Sequence, residues 1–100
     1  MPNVTRYQVL FHGSPDGYEA KRAEIILFND TTTVGNVRFH DPGMPFPNDG
    51  MDGNHIVMHL PGYMYENVID LLRNERPIIY YFGLGRAFLG TAYEPVGEGE

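Results

Sequence analysis

Apolar and polar side chains alternate from Tyr7 to His12, with Tyr7, Val9 and Phe11 on one side and Gln8, Leu10 and His12 on the other. A period of two is that of a strand with one buried face. Gly13-Ser14-Pro15-Asp16-Gly17 then reads as a turn. The run Lys21 to Asn29 places Ala23, Ile25 and Leu27 on one face and Arg22, Glu24, Ile26 and Phe28 on the other. Its second half is apolar on both sides, which predicts a cover over Ile26 and Phe28. Asn29-Asp30-Thr31-Thr32 suits a tight hairpin into Thr33 to His40, where Gly35, Val37 and Phe39 oppose Asn36, Arg38 and His40. Gly35, inside that strand, marks a bulge or bend.

Asp41 to Asn54 holds Pro42, Pro45, Pro47, Gly43, Gly50 and Gly53 and supports neither period, so it reads as one long loop. Alternation resumes from His55 to Leu60, with Ile56, Met58 and Leu60 inward and His55, Val57 and His59 outward. From Tyr63 to Glu75 the apolar positions Met64, Val68, Leu71 and Leu72, widened by Tyr65 and Ile69, follow the spacing of an amphipathic helix. Pro77 stops it, because the residue before a proline is pushed out of the helical region. Ile78 to Phe82 and Arg86 to Tyr93 are two more strands, joined by a hairpin at Gly83-Leu84-Gly85.

The pattern predicts an α+β fold in the order β-β-β-β-α-β-β. Short connections make most neighbours antiparallel, and six short strands with one helix imply a strongly curved sheet or small open barrel. The helix stripe is expected to dock on Ile26 and Phe28. Residues 1–93 are expected to form a single globular domain, followed by a flexible acidic tail over 94–100, where Glu and Gly dominate.

Composition narrows the possible roles. The chain has 100 residues, 42% of them hydrophobic, enough apolar surface for one core. A net charge of −6 with only seven Lys and Arg, scattered along the sequence, argues against nucleic acid and anionic lipid as partners. The absence of cysteine removes thiolate and Cys-based metal chemistry and fits a cytoplasmic location. Neither a leader-like segment nor a window of membrane-span length stands out, so a soluble protein is expected.

Several motifs invite chemistry. His55 and His59 lie four apart on a strand, about 13 Å by the usual rise, too far for one ion to join. A metal site would instead need His40 and His59 with Asp41. Asn48-Asp49-Gly50-Met51-Asp52-Gly53-Asn54 gathers oxygen donors but lacks the distal bidentate Glu of a calcium loop, and turn chemistry accounts for it. Gly83-Leu84-Gly85-Arg86 has no following helix to hold a phosphate. Ser14 sits near His12 and Asp16 in a turn that splays them, and Glu66 and Asp70 share a solvated helix face.

Stronger signals are apolar. Met44, Phe46 and Met51 lie in the proline-stiffened loop, and Tyr80-Tyr81-Phe82 makes both faces of its strand aromatic. The expected role is therefore a binding or protein-interaction module that self-associates or takes a small molecule or protein. Met44, Phe46, Met51, Tyr81 and Arg86 are its contact residues, and it needs no cofactor. The alternative is a small metal-assisted hydrolase or isomerase using His40, Asp41 and His59 at the barrel mouth.

Overall fold

The computed structural model describes residues 3–92, so the acidic tail expected over 94–100 lies outside the described residues. The strands in chain order are β1 (Asn3–Val4), β2 (Arg6–Phe11), β3 (Ala23–Asn29), β4 (Thr32–His40), β5 (Gly50–Asp52) and β6 (His55–Pro61). A 3-10 turn (Gly62–Met64) leads into helix α1 (Tyr65–Asn74), followed by β7 (Ile78–Gly83) and β8 (Arg86–Thr91). The fold is α+β, as the patterning predicts.

The barrel and the strand order are corrected. Two sheets form, β1-β7-β8 and β2-β3-β4-β6-β5, and neither closes on itself. Strand β5 lies inside the stretch expected to be loop, where it takes an edge position antiparallel to β6. Because the connection from His40 to His55 is long enough to cross back, β6 runs parallel to β4 rather than antiparallel. The chain changes sheet at Thr5: Val4 pairs with Ile78 of one sheet and Arg6 with Phe28 of the other. On the opposite side, the Asp49 carboxylate accepts hydrogen bonds from the backbone N–H of His59 (2.7 Å) and of Ala87 (2.9 Å), so a side chain spans the gap between β6 and β8.

The hairpins and the bulge follow the sequence. Asp30 adopts φ 55° between β3 and β4, and Leu84 and Gly85 adopt 56° and 76° between β7 and β8, the positive values that match a hairpin to strand twist. Leu27 pairs with Gly35 but Phe28 with Thr33, which leaves Val34 as the extra residue. A Cβ on Gly35 would lie 2.6 Å from Ile56 Cγ1 and 3.2 Å from the Ile56 carbonyl oxygen. Glycine there lets β4 and β6 approach.

Ile25, Leu27, Val37, Phe39 and Ile56 are fully buried on the inward face of the larger sheet and share one core cluster with Val4, Val68, Ile78 and Ala87. The helix docks on this face and not on Ile26 and Phe28: the Tyr65 ring lies 5.4 Å from Phe39 and 5.1 Å from Phe11. Alternation sends Ile26 and Phe28 to the opposite face, where they stay half-buried. Met64, Ile69, Leu71 and Leu72 complete the stripe against the core. No helix among the described residues is long and apolar enough to cross a membrane.

Candidate functional site

The outward face of the larger sheet concentrates the polar chemistry. Glu24 and Arg38 are cross-strand partners, as are Arg38 and His59, so the three follow one another across β3, β4 and β6. Glu24 is buried yet satisfied. Its Oε1 accepts from Asn36 Nδ2 (2.7 Å), its Oε2 lies 2.7 Å from His12 Nε2, and Lys21 Nζ stands 3.6 Å away. Burial pushes the Glu24 carboxyl up, but the hydrogen bonds from Asn36 and His12 and the charges of Lys21 and His12 outweigh it, so its pKa falls below the ordinary 4.5. The buried Lys21 also lies over the Tyr18 ring, 5.0 Å from its centroid.

His40 ends β4 and is a buried residue, 3% exposed. Its Nδ1 lies 2.6 Å from the Ala20 carbonyl oxygen, which can only accept, so this nitrogen carries a proton and donates. With both rings neutral, His40 Nε2 accepts from His59 Nδ1 at 2.8 Å. Two protonated rings would set N–H against N–H, so the pair holds at most one extra proton while bonded. Burial holds the His59 pKa below its usual 6.5, the charges of His40, Arg38 and Lys21 lower it further, and Asp49 opposes them.

The expected metal residues are thus brought together only in part. His40 and His59 meet, whereas Asp41 turns aside to pair with Arg22, Nε to Oδ2 at 2.8 Å. Among the described residues no group of three or more His, Asp or Glu side chains could hold a metal ion. Arg22 spends its remaining donors on the carbonyls of His12, Ser14 and Pro15, fixing the turn after β2. His12, the base that a triad with Ser14 would need, pairs with Glu24 at 2.7 Å. His55 is exposed on β6, four residues before His59.

The expected contact residues divide. Met44 is half-buried against the turn after β2: its Cε reaches the space beside Gly17 and its sulfur accepts from the Asp41 N–H at 3.3 Å. Phe46 is 53% exposed, with its ring 5.2 Å from that of His40, and Met51 is 48% exposed on the edge strand β5. Tyr81, 43% exposed, stacks on Phe88 across β7 and β8 with ring centroids 4.5 Å apart, on the face turned away from the core. Arg86 and Leu84 mark the hairpin tip beside them, and Leu84 is 93% exposed.

Asp49, Arg22 and the Glu24–His12 pair escape sequence reasoning. Asp49 looks like a turn residue in Asn48-Asp49-Gly50, and its partners are backbone amides 10 and 38 residues away. Glu24 escapes for a similar reason: its partners His12 and Asn36 each lie 12 residues away, on the far sides of two turns. Compared with protein-family models, with curated protein sequences and with solved structures, the chain matches none.

Proposed function

We propose that this protein is a binding module that self-associates through the outward aromatic face of β7 and β8. The observation that carries the reading is the Tyr81–Phe88 stack near the Leu84 hairpin tip, where Phe88 is half-buried while Tyr81 and Leu84 are exposed. Exposed aromatic and aliphatic side chains that cluster on a rigid hairpin are the usual anchors of an interface, and symmetric self-pairing is its commonest form. Phe46, in the loop after β4, and Met51, on the edge strand β5, extend the same argument. Asp49, three residues beyond Phe46, is bonded to the backbone of Ala87, next to Phe88, so loop and aromatic strand meet at one seam. Arg86 supplies a charge at the rim. A cytoplasmic setting belongs to this reading, resting on the cysteine-free composition.

Light scattering after size exclusion tests it. The full chain is expected to elute as a concentration-dependent oligomer, and Tyr81→Ser with Leu84→Ser to weaken association by at least about ten-fold. Both positions are solvent-exposed, so the variant should keep its circular-dichroism spectrum. A chain that stays monomeric at high concentration, or a folded double variant that associates unchanged, overturns the reading.

The approach of His40 and His59 favours a second reading, the metal-assisted hydrolase or isomerase. It requires the His40–His59 bond and the Asp41–Arg22 pair to break so that three donors can converge. Zinc titration followed by imidazole NMR would show a stoichiometric change at both rings if that happens, and none if the pair stays closed.

A further inference from the structure

A cavity of about 740 Å³ lies away from both surfaces discussed above, between β1 and the end of α1. That falls in the range of small-molecule sites, roughly 300–1,000 Å³. Val4 and Ile78 are among its lining residues, and both are buried core residues paired across β1 and β7. Tyr7 and Leu72 add to this apolar surface, partly buried against the same core.

The rim is basic. Arg6 from β2, Arg73 from the last turn of α1 and Arg76 just before Pro77 all line the cavity, three of only seven Lys and Arg in a chain of net charge −6. Among the described residues, Glu75 is the one acidic member of the lining. All three arginines are exposed, and none is ion-paired within the described residues. Arg22 shows by contrast what a structural arginine does here, with its guanidinium committed to four acceptors. Arg6 lies 67 and 70 positions from Arg73 and Arg76 in sequence, and the fold brings all three into one lining in a molecule of opposite net charge.

We propose that this cavity binds a small amphiphilic anion, its carboxylate or phosphate head held by Arg6, Arg73 and Arg76 and its short apolar part laid on Val4, Tyr7, Leu72 and Ile78. Guanidinium forks suit either oxyanion, because both offer paired acceptor oxygens. The apolar wall distinguishes the site from a simple counter-ion patch: a head without a tail leaves the wall wet, and a tail without a head leaves the arginines unused. The site is independent of the proposed self-association, since it shares no residue with the Tyr81–Phe88 face.

NMR titration of the full-length protein with hexanoate, hexyl phosphate, acetate and hexan-1-ol tests the proposal. One or both of the first two should give saturable shifts at the Tyr7, Leu72 and Ile78 amides, and their relative affinity identifies the preferred head. Acetate and hexan-1-ol should bind at least about ten-fold more weakly, and Arg73→Gln with Arg76→Gln should cost about ten-fold or more for the amphiphiles. His55→Glu, at an exposed position outside the lining, should leave binding unchanged and so controls for net charge. The proposal is overturned if neither amphiphile saturates, if the folded double variant binds as the parent does, or if His55→Glu weakens binding equally.

Discussion

Individual side chains in this protein are committed by what their neighbours can accept. The Ala20 carbonyl fixes the proton on His40 Nδ1, which in turn makes His40 Nε2 the acceptor for His59. His59 is held below its ordinary value of 6.5, so the unfolded chain binds a proton there more readily than the folded one. The stability this neutral ring contributes is full above pH 6.5 and is lost as pH falls below that value. Glu24 behaves in the same direction lower down: its depressed pKa contributes stability above 4.5 that disappears as pH falls through the folded value. Urea midpoints should therefore decline in two stages on acidification, and His59→Gln should flatten the upper one. A midpoint that holds steady or rises between about pH 7 and about pH 5 would contradict the assignment to His59. The residues concerned were visible in the sequence as polar positions on outward strand faces. Their pairing was not, because His40 and His59 lie on strands whose parallel register depends on a crossover that no local pattern encodes.

At the level of elements, the departures from expectation arise where a segment had no neighbour-independent preference. Met51 at the centre of β5 is flanked by Gly50 and Asp52, so the segment forms a strand only because β6 offers it a free edge. The apolar doubling at Ile26 and Phe28 correctly marks a strand with little exposed surface but cannot say which face receives the helix. That choice falls to Phe39 and Phe11, which present rings to Tyr65. Asp49 is the connection most exposed to test. Its two oxygens accept from the amides of His59 and Ala87, and removing them leaves both donors without their carboxylate partner across the gap between β6 and β8. Asp49→Ala should destabilise the fold by about 2–4 kcal/mol, read from chemical denaturation, with amide exchange accelerated first at His59 and Ala87. A loss under about 0.5 kcal/mol would mean that the sheets hold together there without the carboxylate.

Across the whole molecule, one core cluster draws residues from both sheets and from the helix: Val4 and Ile78 from the smaller sheet, Ile25, Val37 and Phe39 from the larger, and Val68 from α1. Such a shared core should unfold as a unit. Near-ultraviolet signals from the tyrosines and far-ultraviolet signals from the backbone are expected to follow coincident denaturation curves, and separate transitions would show that the sheets are stabilised independently. The positions of β2, β3, β4, β6, α1, β7 and β8, the bulge beside Gly35 and the two tight hairpins were determined by the sequence alone, since period, turn chemistry and glycine placement act over a few residues. Tertiary structure alone decided the division into two sheets, the parallel pairing of β4 with β6, the helix's docking face and the gathering of Arg6, Arg73 and Arg76 at one cavity. Each of these depends on contacts between distant segments, and their energies are settled only when the chain has closed on itself.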